Sequence, residues 1–130
     1  MQTVTRVHHL KAAFFACVIL VHFTAACSSI TSNTTIKPKD SFILGNNQHG
    51  AFEVKLKNVK LKNVSRTALD VYRAPVDGGK HSSQTVQPGE QITAKVESNT
   101  ALIIENKSDQ SASVDLTITG DTGLSMGYKN

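Results

Sequence analysis

The sequence contains no tryptophan, and its aromatic residues amount to 5% of the chain. Trp is the side chain best suited to stacking on the apolar face of a sugar, so an aromatic platform for a glycan has to come from Tyr72 or Tyr128, the two tyrosines present. Cysteine is almost as scarce: Cys17 and Cys27 are the only two, too few for a disulfide scaffold. No apolar run reaches the roughly 18 residues of a membrane-spanning helix. The longest, residues 12–21, stops at His22 after ten. Charge is also modest. Fourteen Lys and Arg face ten Asp and Glu, a net charge of +4 over 130 residues, which is no argument for a nucleic-acid partner.

What the sequence does have begins at its N-terminus. Arg6 and Lys11 precede the apolar residues 12–21, and the small residues Thr24-Ala25-Ala26 follow. A positive segment, a short apolar segment and a small-residue motif are the parts of a cleaved secretory signal, so residues 1–26 are expected to be a signal peptide. Thr24-Ala25-Ala26-Cys27 also resembles the bacterial lipobox recognised by signal peptidase II. Ala25, Ala26 and Cys27 match it, and Thr24 stands where Leu is usual. The resemblance implies cleavage before Cys27, lipid on its thiol, and a cell-envelope lipoprotein attached to the membrane through that lipid. Ser28 after the cysteine implies the outer membrane, facing the periplasm or the surface. Ordinary cleavage after Ala26 is the alternative and gives a soluble periplasmic protein. In either case Cys17 leaves with the signal and Cys27 remains unpaired; acylation accounts for a lone thiol in an oxidising compartment.

Without residues 1–26 the chain keeps 104 residues, enough for one domain. Loss of Arg6 and Lys11 leaves 12 basic against 10 acidic residues, a charge of +2. Residues 27–40 are rich in Ser, Thr and Asn, lack a clear period and end near Pro38, so they are expected to be the lipidated cysteine and a flexible tether.

From residue 41 the apolar residues recur with the two-residue period of half-buried strands. Candidate strands fall at 41–44, 51–64, 68–74, 81–86, 91–97, 101–106, 113–118 and 124–128, separated by turn signals such as Asp77-Gly78-Gly79 and Pro88-Gly89. Leu102, Ile103 and Ile104 mark their strand as central and buried on both faces. In 51–64 the phase slips: Phe52, Val54 and Leu56 are followed by Val59 and Leu61. A β-bulge at Asn58 would restore the phase and set Lys55, Lys57, Lys60 and Lys62 along one face.

Many short strands and no helical stretch give an all-β class, an antiparallel β-sandwich of about seven or eight strands over residues 41–130, with a small β-barrel as the alternative. The stretches Asn63-Val64-Ser65, Val71-Tyr72, Gln87-Pro88-Gly89-Glu90 and Ile104-Glu105-Asn106 resemble immunoglobulin-like sandwiches, without the cysteine pair and tryptophan of true immunoglobulin domains. Phe52, Leu56, Leu69, Val71, Leu102, Ile104, Leu116 and Ile118 are the expected core.

Chemistry-bearing patterns are sparse. His49 and His81, expected in solvated turns or loops, fall short of the three or four converging ligands a transition metal needs, and the aspartates lack the spacing of a calcium loop. Ser82, His81 and Asp77 are too close in sequence to converge as a triad. No catalytic role, metal or cofactor is therefore expected. The lysine row has two readings: contact with the anionic headgroups of a nearby membrane, or protection of a strand from edge-to-edge pairing. The expectation is a lipid-anchored envelope binding or structural module that works through its surface, with envelope proteins or glycans as partners. A small carbohydrate-binding or inhibitor domain on the same anchor is the alternative.

Overall fold

The structure, a computed structural model, describes residues 28–45, 48–59 and 67–129. The expected signal peptide, Cys27, Lys60 and Lys62 lie outside the described residues. Among the described residues, nine strands account for the regular structure: β1 (Ser29–Ile36), β2 (Ser41–Leu44), β3 (Phe52–Val59), β4 (Leu69–Pro75), β5 (His81–Val86), β6 (Gln91–Val96), β7 (Thr100–Glu105), β8 (Ala112–Gly120) and β9 (Met126–Tyr128). They form two antiparallel sheets, β1-β8-β3-β6 and β5-β4-β7-β2-β9, packed face to face as an open sandwich.

The sandwich class and the strands after residue 40 are those expected, but the strand order is not immunoglobulin-like. That order would put the first, second, fourth and fifth strands in one sheet. Here β1 pairs with β8, β2 with β7, β3 with β6 and β4 with β5. The pairs are nested, as in one long antiparallel ribbon folded over on itself, which is the jelly-roll arrangement. β9 adds a short strand beside β2.

The supposed tether is also corrected. Residues 29–36 form an edge strand that pairs with β8 over eight consecutive positions, from Ser29 opposite Thr119 to Ile36 opposite Ala112. Its inward positions are Ile30, Ser32, Thr34 and Ile36, and burial deepens along it until Ile36 is fully enclosed. Two isoleucines six residues apart share a face in a strand, and threonine fits a pleated, half-buried surface. A polar composition therefore concealed a strand.

No bulge occurs at Asn58. β3 stays in register with β8 through Asn58 opposite Val114 and Val59 opposite Ser113. Asn58 simply takes the next inward position, 2% exposed, and its amide donates to the carbonyls of Thr67 at 2.8 Å and Val86 at 3.0 Å. Its backbone N–H donates to the Glu90 carbonyl and its own carbonyl accepts from Gly89. A buried polar group is tolerated because its hydrogen-bonding capacity is used. The apparent phase slip is the mark of a polar residue in the core.

All eight expected core residues are buried between the sheets, joined by Ile36, Phe42, Leu44, Val54, Val86, Val96 and Val114. β7 is central in its sheet, although Ile103 on its outer side is only half-buried. The Pro88-Gly89 turn forms with Gly89 at φ 87° and the Glu90 N–H donating to the Gln87 carbonyl at 3.0 Å, the positive φ that a type II turn demands.

The register also fixes what lies at each end of the sandwich. Ser29 is opposite Thr119, Phe52 is opposite both Gly120 and Val96, and Pro75 is opposite Thr100. The start of β1 therefore shares an end with the loops 48–51, 76–80, 97–99 and 121–125. Loops 37–40, 87–90 and 106–111 gather at the far end.

Candidate functional site

The expected lysine row is placed only in part. Lys55 and Lys57 are exposed on the outer face of the β1-β8-β3-β6 sheet. There Lys55 stands opposite Thr117 and Thr93, and Lys57 opposite Asp115 and Gln91. Because β3 is an interior strand, neither lysine guards an edge, and the edge-protection reading fails for this pair. Around them the face is hydroxyl-rich, with Thr31, Thr35, Ser113, Thr117, Thr119 and Thr93 on it. Lys95 adds a third cation, opposite Glu53. Asp115 is taken up by Asn33, whose amide donates to it at 2.6 Å.

A second charged region was not foreseen. On the outer face of the other sheet, β4 and β7 place Asp70 opposite Glu105. Lys107, just past the end of β7, reaches both carboxylates, at 3.0 Å to Asp70 and 3.4 Å to Glu105. Two like charges side by side would repel, and one shared ammonium offsets this. The hydrogen bond from Lys107 holds the Asp70 carboxyl below its usual range, and the same pair raises the Lys107 ammonium. The pair is solvent-facing, so its value to stability is small. Tyr72 lies beneath: Lys80 Nζ sits 4.4 Å from its ring centroid, and its hydroxyl donates toward Glu105 at 3.5 Å. Burial first, and the nearby Glu105 second, push the Tyr72 hydroxyl up.

Two open grooves flank Lys107. One, about 320 Å³, is lined by Lys39, Ser41, Glu105, Asn106, Lys107 and Lys129; the other, about 620 Å³, runs along Thr67, Asp70, Lys107 and Gln110. Their rim is rigidified by Asn106, a fully buried residue whose amide donates to the carbonyls of Ile36, Lys37 and Gln110 and whose oxygen accepts from Ser108. Lys39 joins the rim by donating to the Lys107 carbonyl at 2.6 Å. No sequence signal marks this region, because Asp70 and Glu105 meet only through strand pairing.

The end from which β1 starts holds the histidine that was expected to be solvated. His49 is instead buried, stacked edge-on to Phe52 at 5.1 Å between ring centroids. Nδ1 is 2.7 Å from the Gly50 carbonyl, an oxygen that can only accept, so Nδ1 carries the proton. Nε2 is buried with no hydrogen-bond partner among the described residues. A Cβ at Gly45 would sit 2.6 Å from it, so the glycine backbone walls it off. Asp121 closes the same loops by accepting the N–H groups of Gly50 at 2.6 Å and Gly123 at 2.9 Å, which lower its carboxyl below the usual range.

Gly123-Leu124-Ser125-Met126-Gly127 has the G-x-S-x-G spacing of a nucleophile elbow, and His49 and Asp121 lie at the same end. An elbow is a strand-to-helix turn, whereas this stretch runs from a loop into β9. No hydrogen bond joins Ser125 to His49 among the described residues, and the His49 nitrogen that would act as base is enclosed. Among the described residues no group of three or more His, Cys, Asp or Glu could hold a metal ion.

The two tyrosines differ in access: Tyr72 is buried, whereas Tyr128 keeps 48% of its surface exposed. Tyr72 is covered by Lys80, and Tyr128 stacks edge-on to Phe42 at 5.1 Å while its hydroxyl donates to the Thr35 carbonyl at 2.9 Å.

No protein-family model matches the chain, and no curated protein matches it. Among solved structures, the chain is similar to a mitogen from Yersinia pseudotuberculosis at 17% identity and a TM-score of 0.43, over 71% of this chain and 85% of that one. It is also similar to a structure of Bacillus endospore appendages, described as disulfide-linked pili, at 17% identity and a TM-score of 0.47, over 76% of this chain and 88% of that one.

Proposed function

We propose that this chain is a cell-envelope binding or structural module, held to a membrane by lipid on Cys27 and acting through surface contacts rather than an enclosed pocket. The observation that carries the reading is a spacing. β1 begins at Ser29, so Ser28 alone separates the cysteine of the lipobox-like motif from the first strand. The folded domain starts where the expected cleavage would leave it.

So short a link changes the reach of the domain. Two residues extend about 7 Å, so the sandwich rests on the headgroups instead of swinging above them. The outer face of the β1-β8-β3-β6 sheet then comes against the membrane, with Lys55, Lys57 and Lys95 facing anionic phosphates. The grooves beside Lys107, on the far end and the other sheet, stay open to a protein or glycan of the envelope.

Cell fractionation tests the anchor. The native chain should stay with membranes through a high-salt wash and be released by detergent, and the Cys27→Ala variant should appear in the soluble fraction. Release of the native chain by buffer alone would end the lipid-anchor reading.

A further inference from the structure

Arg73 is a charged residue on the inward face of its strand. It stands opposite Leu102 of β7, a core residue, and opposite His81 of β5, and directly opposed residues share a face of the sheet. Among the described residues its guanidinium makes one hydrogen bond, Nη1 donating to Ser82 Oγ at 3.0 Å. Nε is buried with no partner. No ion pair among the described residues involves Arg73, although Asp77 and Glu97 lie in loops at the same end of the sandwich. An enclosed donor without an acceptor is costly, and such a group calls for an explanation. The strand beside it is irregular at this point. Val71 pairs with Gln84 and Arg73 with His81, so Ser82 and Ser83 both fall opposite Tyr72. That is a bulge, and bulges re-aim side chains. Ser82 also sits at φ 53°, a region that non-glycine residues rarely enter. β5 is exposed from His81 to Thr85, with His81 and Gln84 on its inward face, so the mouth between the sheets is open on this side.

We propose that Arg73 anchors a carboxylate-binding site in this mouth, taking the acid group of a small ligand such as a sugar acid or a peptide terminus. Nη1 is the guanidinium nitrogen on the Cδ side, so its bond to Ser82 leaves the Nε–Nη2 edge unused. That edge presents two parallel N–H groups, the arrangement that matches the two oxygens of a carboxylate. Nη2 makes no hydrogen bond among the described residues and is not one of the enclosed unpartnered atoms. A ligand oxygen therefore meets Nη2 first, and the second oxygen reaches Nε by rotation of a guanidinium held at one point. The charge also fits. Arg73 brings one permanent positive charge, which one carboxylate neutralises, whereas a phosphate dianion would be left half-compensated. Lys80 does not add to it, because its ammonium lies on the other face, over the Tyr72 ring. Ser82 acts as a positioning residue that fixes the plane of the fork. The site goes beyond the envelope-module reading and depends on the surroundings of Arg73 alone, with or without lipid on Cys27.

NMR of the full chain, isotope-labelled at nitrogen, tests this through the Arg73 Nε–H resonance, identified by its loss in Arg73→Lys. Titration with glucuronate and with N-acetylalanine should shift that resonance to saturation, together with the backbone amides of His81 and Ser82. Glucose and N-acetylalanine amide, which lack the acid, should leave it in place. If one acid binds more tightly than the other, the site is assigned to a sugar acid or to a peptide terminus accordingly. Arg73→Lys keeps the charge and loses the fork, so the response of His81 and Ser82 should weaken by about tenfold while the other amides stay where they are. Three results would each overturn the proposal: no movement of the Nε–H resonance with either acid, an equal response to the neutral compounds, or tighter binding of inorganic phosphate. A shift of the same resonance in ligand-free Asp77→Asn would do so too, by showing that the chain's own carboxylate fills the fork.

Discussion

Asn58 stands opposite Val114 inside the sandwich, and its amide ties the end of β3 to the carbonyls of Thr67 and Val86. Replacing it with alanine leaves both carbonyls buried without that donor, at a cost of about 1–3 kcal/mol for each group left unsatisfied. Asn58→Ala should lower the urea midpoint with an unchanged slope. A stability equal to the native chain would show that these bonds are replaced by water.

Gly45 and Gly89 separate backbone strain from steric conflict. Both have positive φ, 80° and 87°, a conformation that costs a non-glycine residue about 1–2 kcal/mol. A Cβ at Gly89 meets nothing within 4 Å, whereas one at Gly45 meets His49 Nε2 at 2.6 Å. Gly45→Ala should therefore destabilise more than Gly89→Ala in thermal melts, and pairing it with His49→Ala should recover the difference. Equal losses would contradict the close packing of His49.

Acid should loosen the loops that Asp121 holds. Its carboxyl is lowered from 3.8 by the N–H groups of Gly50 and Gly123, so its contribution is present above the ordinary aspartate range and lost as pH falls through the lowered value. The Gly50 and Gly123 amide resonances should move together in NMR, with a midpoint below 3.8, and Asp121→Asn should remove the transition. Independent midpoints for the two amides would break the account.

The alternating strands from β2 onward were legible because burial on one face writes a two-residue period into the sequence. What that period cannot specify is the neighbour of each strand, so the nested pairing of β1 with β8 and β2 with β7 was invisible and an immunoglobulin-like order was the natural expectation. β1 itself was hidden because Ser32 and Thr34 occupy inward positions where an apolar residue would have completed the pattern. Asn58 misled in the opposite way: a polar residue at a core position looks like a slip of phase. At the candidate sites, Lys55 and Lys57 could be assigned to one face from sequence alone. The meeting of Asp70, Glu105 and Lys107 could not, since it is made by the β4–β7 register.

The lysine face has a direct electrostatic consequence. Each lysine close to an anionic membrane contributes up to about 1 kcal/mol. Replacing Lys55, Lys57, Lys60 and Lys62 with Gln should weaken binding to vesicles containing phosphatidylglycerol, and more so at low salt than at high. Unchanged binding would leave these lysines as solvated surface only.

The most direct measurement is the intact mass of the native chain extracted from membranes, beside its Cys27→Ala variant. The account predicts a mass equal to residues 27–130 plus acyl chains, with that species missing from the variant. An unmodified product beginning at Cys27 would contradict it, and the membrane-facing role of Lys55 and Lys57 would fall with it.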